Sequence, residues 1–440
     1  MYRIQKLQAP YGLQTSSRYS HSDSLSQLPP SPDLHWVPCF QNYTSARLEV
    51  PLDYGDPSRG VTAIACLKLS ATNASKTRSL LISPGGPGGS GIESVFSQGL
   101  ALAGIRQGLH NIVGFDPRGV GLCGLNFEKL YFPEIYNASS TAAGRQFAAA
   151  EIFGDVCRGE LWTVPGATFA HLFPDRVERM VLYGVVDAED YYSLGWKSNL
   201  YDAGMALDSF IQSCFQAGPK ERCAFWGLSV HDIRSRLGAL LQDLKYNPIP
   251  IPPSVTTCPL PMLATYSDLK QLIFQAMYIP AERFQKLAAI LAGLERDVDT
   301  LIKCVDGAGE KRFRSISHEF FGEAWPNNAN GVACRAYEVL PPETGNLKDT
   351  ILDNRHTASP IPFVTTEVGP VAPKRGAHKM SSVFPGSAVL IQHSVGHTAF
   401  LSPSICFARR ARNYLLSGQL PPPNSTCQAD TEPFQGGLRC

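Results

Sequence analysis

"SLLISPGGPGGSGI", residues 79–92, sets an apolar run against a glycine series. Leu80, Leu81 and Ile82 read as a buried strand, which the following glycine-rich turn stops. "HNIVGFDPRGVG" (110–121) reads as a second strand ending at a charged loop, and "RVERMVLYGVVD" (176–187) as a helix end followed by a third. After Ala188 the pattern changes to long amphipathic stretches, "SDLKQLIFQAMY" and "ERFQKLAAILAGLERDVDTLIKC", with the helical period near 3.6. Strand-like segments return in "PIPFVTTEVG" and "SAVLIQHSVGH", and the helix-like "SICFARRARNYLLSG" precedes a Pro-rich end. The expected organisation is therefore an α/β core interrupted by a helical insertion.

In residue terms this gives an N-terminal tail over 1–35, a first core part over 36–187, a helical cap over 188–349 and a second core part over 350–434. The tail is rich in Ser and Pro, as disordered segments are. It has no continuous apolar run of the secretory kind, and nothing elsewhere is long and apolar enough to span a bilayer.

Composition narrows the function classes. The 440 residues include 39 Lys and Arg against 38 Asp and Glu, and no basic block is interleaved with aromatics, so nucleic acid is set aside as a partner. With 44% hydrophobic and 18% charged residues, the chain is long enough to bury a large core. The N-terminus points to the cytoplasm. The 12 cysteines, together with Asn-x-Ser/Thr sequons at Asn42, Asn73, Asn137 and Asn424, point instead to descent from an exported protein.

The chemistry starts at "GGPGGSG", Gly85 to Gly91. Serial glycines permit close approach of the backbone, so their N–H groups are able to converge on a developing oxyanion. No Lys-Ser/Thr pair follows, which counts against a nucleotide cradle. Taken alone, "DPRGVG" reads as a strand-terminal turn held by an Asp–Arg pair, but the order glycine loop, then Asp-x-Arg-Gly-x-Gly, is more specific. His393 and His397 lie four apart with no third metal ligand, so neither a metal nor a cofactor is expected.

The ordered run "WVPC…ARLEVPLDYGDP", "SPGGPGGSG", "VGFDPRGVG", "GATFAHLFPDRVERMVLYGVVD", "SVGH" and "GQLPPPNSTC" resembles the prolyl and tripeptidyl aminopeptidase-like (TAP-like) branch of the α/β-hydrolases, especially its fungal and actinomycete members. The resemblance covers about Trp36 to Phe434. It implies a parallel eight-stranded sheet flanked by helices, a helical cap inserted after a middle strand, and a Ser-Asp-His triad on loops at the strand ends. It assigns the oxyanion hole to Gly85, Gly86, Gly88 and Gly89, and the general base to His397.

The other triad positions are substituted. Setting Thr163 on the threonine of the family's Gly-x-Ser-Tyr-Gly-Thr elbow puts Glu160 at the nucleophile, with Arg158 and Trp162 at its glycines. The elbow is a strained strand-to-helix turn, which side chains at those neighbours block. Gly369 stands at the acid position, leaving Glu367 as a substitute acid from the same strand end. "EIFGDVCRGELWTVP" offers no clean apolar strand before the elbow, so either a central strand is missing or the sequence lacks the segment that encodes it. The resemblance also implies bridges Cys214–Cys223, Cys304–Cys334 and Cys406–Cys427, and an unpaired Cys39, because Ser45 occupies its partner's place.

These readings leave open a peptidase or esterase-type hydrolase acting by acyl transfer to water on a small-molecule or peptide substrate, a fold recruited to a small metabolite in a fungal secondary-metabolite pathway, and an inactive pseudoenzyme or truncated product. In the second, the bound metabolite would meet Glu160 as an acid or base.

Overall fold

A computed structural model describes residues 27–434, except 41, 74–77, 86–88, 119, 122–165, 193–197, 220–221, 252–261 and 305–355. The chain builds a mixed α/β core of antiparallel and parallel strands. Strands β1 (Val37–Cys39), β2 (Tyr43–Pro51), β3 (Val61–Leu69), β4 (Arg78–Ile82) and β5 (His110–Phe115) form one sheet in the order β1-β2-β3-β5-β4. Helix α1 (Gly91–Ile105) carries the chain from β4 to its parallel neighbour β5. Its start is set by Ser90, whose hydroxyl accepts the Glu93 N–H at 3.0 Å. Leu67, Ile82, Val95 and Ile112 pack between α1 and the sheet.

A second sheet follows. β6 (Leu182–Tyr183) comes after the short helix α2 (Gly166–Leu172), and helix α3 (Ala188–Tyr192) opens the insertion. The insertion continues with α4 (Ala203–Ala217), α5 (Val230–Tyr246), a small hairpin of β7 (Ile249–Ile251) and β8 (Met262–Ala264), α6 (Tyr266–Tyr278) and α7 (Pro280–Cys304). Then come β9 (Pro362–Val368), α8 (Lys374–Val383), β10 (Ala388–Val395), α9 (Ile405–Ser417) and β11 (Thr426–Gln428). These strands order as β11-β10-β9-β6, all parallel.

The amphipathic stretches read as helical are α6 and α7, which with α4 and α5 enclose their own core of Phe210, Phe225, Phe274 and Phe284. Val371, Val368 and Val395 pack against that core, so the insertion sits over the ends of β9 and β10. The C-terminal helix obeys its end signals: Ser404 accepts the Phe407 N–H, and Gly418 closes the helix in the left-handed region at φ 79°.

The continuous eight-stranded sheet implied by the resemblance is not what the described residues show. They form sheets of five and four strands, and the division falls between β4 and β6. Leu81 on β4, which reads as buried strand, is 65% exposed. The sheets are joined by side chains instead: Phe400 packs into the core of each, and Arg78 on β4 pairs with Glu178 just before β6. Residues 122–165, which lie between β5 and β6 in sequence, are outside the described residues.

Two of the implied bridges are formed, Cys214–Cys223 and Cys406–Cys427. Cys39 is a free thiol hydrogen-bonded to Ser45, and burial raises its pKa. The Cys304–Cys334 pair lies outside the described side chains.

Candidate functional site

The carboxyl ends of β4 and β5 are locked together by Asp116. This buried residue follows β5, and its carboxylate accepts the Ser90 hydroxyl at 2.7 Å and the Ile92 N–H at 3.2 Å. Arg118 turns away from the loop and donates to the Leu52 carbonyl at 2.6 Å. In place of the Asp–Arg pair read from the sequence, Asp116 therefore anchors the first turn of α1 and Arg118 anchors β2. Gly121 sits at φ 53° with its Cα against the Asp116 carboxylate, where a side chain has no room. Within the glycine loop, the Gly89 N–H donates to the Gly85 carbonyl at 3.2 Å, so that donor is engaged inside the loop. Gly86 and Gly88, read as the other oxyanion donors, lie outside the described residues, as does Glu160.

β9 and β10 end side by side. The Gly396 N–H donates to the Val368 carbonyl at 3.1 Å, and the Gly396 carbonyl accepts the Thr366 hydroxyl at 2.7 Å. This pairing sets His397 directly beyond β10. Its N–H donates to the Tyr278 carbonyl at 3.1 Å, and its ring lies 4.8 Å from the Tyr278 ring. On another side is Gly184, at the end of β6 with φ 61°, where a methyl group would stand 3.4 Å from His397 Cε1 and 3.6 Å from Nε2. Tyr278 ends a cap helix, and no sequence motif marks it as a neighbour of the histidine.

The Nδ1 atom of His397 is buried and has no hydrogen-bond partner among the described residues. Burial alone drives the ring pKa from 6.5 down to about 4, so the imidazole is neutral near pH 7. The linkage has a definite sign. A depressed base binds its proton less well folded than unfolded, so stability is fully present above about pH 6.5 and is lost as pH falls toward 4. We expect unfolding free energy to drop by about 2–3 kcal/mol between pH 7.5 and 4.5 from this group. Urea titrations at both pH values should show that loss in the native protein, and a correspondingly smaller one in His397→Gln. Equal losses in the two proteins would overturn the assignment.

The acid position is differently furnished. Glu367 pairs with Lys374, and its second oxygen lies 3.7 Å from Nδ1 of His393, so among the described residues its carboxylate is directed to these two and not to His397. At Gly369 a Cβ would stand 2.4 Å from the Ala372 carbonyl oxygen. The Gly369 N–H donates to the carboxylate of Asp202, a residue only 4% exposed at the start of α4. Burial raises the Asp202 pKa, opposed by Arg375 and Lys374 and reinforced by Glu367. Sequence reading gave no hint of Asp202, because it reaches the strand end from the cap, more than 160 positions away.

The described residues hold no group of three or more His, Cys, Asp or Glu side chains arranged for a metal ion, and no helix among them is long and apolar enough to cross a membrane.

Residues 318–427 match the model of the TAP-like protein family. The fold is that of the α/β-hydrolases, and the C-terminal part is TAP-like. The tripeptidyl aminopeptidase of Streptomyces lividans is 22% identical over an alignment covering 91% of this chain and 87% of that protein. Shorter, stronger similarity links the chain to serine protease Hip1 of Mycobacterium tuberculosis, 38% identical over 96 residues, and to carboxylesterase B of the same organism, 39% over 77. The chain spans 18% and 15% of the length of those two relatives. The alignment to the Streptomyces protein runs over 491 positions, more than the 440 residues present here, so that relative carries residues with no counterpart in this chain.

Proposed function

We propose that this chain is a hydrolase-type protein of the peptidase and esterase class that binds a peptide or ester at the carboxyl ends of β6, β9 and β10, and that in this form it does not turn the ligand over through a serine triad. The observation that carries this reading is the isolation of His397. A triad base needs a carboxylate on Nδ1 to fix its tautomer and to stabilise the imidazolium that forms. Here Nδ1 is buried with no partner among the described residues, and the position that the resemblance gives to the acid is a glycine with no space for a side chain. A base with a pKa near 4 has little driving force to take a proton from a hydroxyl at neutral pH. The similarity to a serine protease, a carboxylesterase and a tripeptidyl aminopeptidase supports the ligand class. The two disulfides support folding in an oxidising compartment, the exported alternative to the cytoplasmic reading.

A fluorophosphonate probe tests the proposal. We expect no covalent adduct by intact-mass spectrometry and no hydrolysis of a p-nitrophenyl ester above the buffer rate. An adduct on any hydroxyl would overturn it.

A second reading is favoured by the division of the sheet at β4 and β6 and by the excess length of the Streptomyces alignment. In it, a longer form of the chain supplies a strand and an elbow between Cys157 and Thr163, and that form is the enzyme. Sequencing the transcript across this interval decides the matter: an in-frame Gly-x-Ser-x-Gly segment establishes the longer form, and uninterrupted coding sequence removes it.

A further inference from the structure

Beside the His397 site, and not lined by it, a cavity of about 370 Å³ opens between the segment after β6 and the first turn of α8. Asp187, Ser198, Asn199, Arg375 and Lys379 are among its walls. Asp187 lies three residues beyond Gly184, which packs on His397, and α8 starts from the loop after β9. The cavity therefore belongs to the same end of the sheet as the histidine. Its size suits one small polar group of a ligand and its immediate neighbours.

An account of its hydrogen bonds shows acceptors committed and donors in surplus. The Asp187 carboxylate accepts the Glu189 N–H at 3.1 Å and the Lys379 ammonium at 2.8 Å. The Asp190 carboxylate, behind the wall, accepts both the N–H and the hydroxyl of Ser198, at 2.7 and 2.5 Å. Lys379 is held a second time by Glu189 at 2.7 Å. Arg375 differs: its guanidinium is stacked 3.6 Å over the Tyr201 ring and donates once, to the Ser198 carbonyl at 3.1 Å. A guanidinium carries five N–H donors, and stacking fixes the plane in which the others point.

Asn199 is a second polar wall residue: it is 2% exposed and its side chain has donor and acceptor on one amide. α8 adds a third feature: Pro373 at its N-cap provides no side-chain bond, so the first turn lacks a side-chain cap and presents the positive end of the helix.

We propose that this cavity binds the carboxylate of a peptide ligand, through the Arg375 guanidinium, the Asn199 amide and the first turn of α8. The peptide part of this statement rests on the reading given under Proposed function; the anion part rests on the cavity alone. Asp202, which faces Arg375, is the competing carboxylate.

The test is direct binding, which requires no turnover. Titration calorimetry would compare N-acetyl-trialanine bearing a free carboxylate with its carboxamide, using the whole chain. The acid is expected to bind at least about tenfold more tightly, the difference between charge-assisted and neutral hydrogen bonds. Arg375→Gln and Asn199→Ala should each weaken binding of the acid more than that of the carboxamide and so remove the preference, and Arg375→Lys should keep part of it. Thermal melting verifies that the variants fold. Equal affinities for acid and amide, or a preference that survives Arg375→Gln, would overturn the proposal. So would Arg375-dependent binding of inorganic phosphate without any of the peptide acid, which would assign the cavity to phosphate. Fluorophosphonate labelling would refute the lack of triad turnover and leave this result intact, so the two failures are distinguishable.

Discussion

Gly91→Ala is expected to destabilise the protein by about 3 kcal/mol or more, the upper end for overpacking, because the clash involves backbone. A Cβ at residue 91 would stand 2.1 Å from the Phe115 carbonyl oxygen and 2.5 Å from its nitrogen. The reciprocal contact is equally close: a Cβ at Gly114 would stand 2.1 Å from the Gly91 carbonyl oxygen. α1 and β5 thus meet backbone to backbone. Relief by movement is blocked on both sides. β5 is hydrogen-bonded to β3 and β4, and the start of α1 is tied to the Asp116 carboxylate through Ser90 and Ile92. Because the glycine loop leads straight into that turn, the same substitution should also displace the loop. Gly104→Ala is the control. It lies in the same helix with nothing within 4 Å, and should gain up to about 1 kcal/mol from helix propensity. Urea midpoints measure both, and a Gly91→Ala protein as stable as Gly104→Ala would refute the contact.

That contact also shows what the sequence makes legible and what it hides. Apolar runs ended by glycine located β4, β5, β9 and β10, and the 3.6-residue period located α6 and α7, because each signal arises from neighbours along the chain. The ends of α9 were equally local, in Ser404 and Gly418. His397 was found by its "SVGH" motif at the end of a strand. What surrounds it was not: Tyr278 and Gly184 come from two segments distant in sequence. Asp202, Asn199 and Arg375 were invisible for the same reason, since a cap residue's proximity to a strand end is a property of packing alone. The Asp–Arg pair read in "DPRGVG" failed because both side chains found stronger partners outside the loop, a choice no local spacing encodes. Glu367 was near the expected acid position by count. The groups beside it, Lys374 and His393, decided where its oxygens went.

Gly369→Asp, which puts a carboxylate where the resemblance expects the acid, is expected to cost about 2–4 kcal/mol and to yield no hydrolysis, even combined with Glu160→Ser. Two separable effects oppose it. One is steric: the new Cβ meets the Ala372 carbonyl oxygen at 2.4 Å, and the carbonyl belongs to the tight loop that starts α8. The other is electrostatic. The Gly369 N–H already serves the Asp202 carboxylate, and Glu367 stands two residues away, so a third carboxylate enters a site where burial and like charge already raise a pKa. Gly369→Ala carries only the first effect, so the difference between the Ala and Asp variants isolates the second. Asp202→Asn keeps an acceptor for the Gly369 N–H and removes its charge, and should recover the electrostatic share in a double-mutant cycle. The pH dependence has the opposite sign to that of His397. Carboxyl groups with raised pKa values are least costly when protonated, so the gap between Gly369→Asp and Gly369→Ala should close as pH falls through their folded-state pKa values. If instead the Glu160→Ser, Gly369→Asp protein gained about 10⁴-fold in ester hydrolysis, the order of a triad's contribution, side chains alone would have been lacking. Absence of that gain, with the expected loss of stability, places the deficiency in the architecture: the loop after β9 is packed for a glycine, and no strand joins β4 to β6 among the described residues to carry a nucleophile to Nε2 of His397.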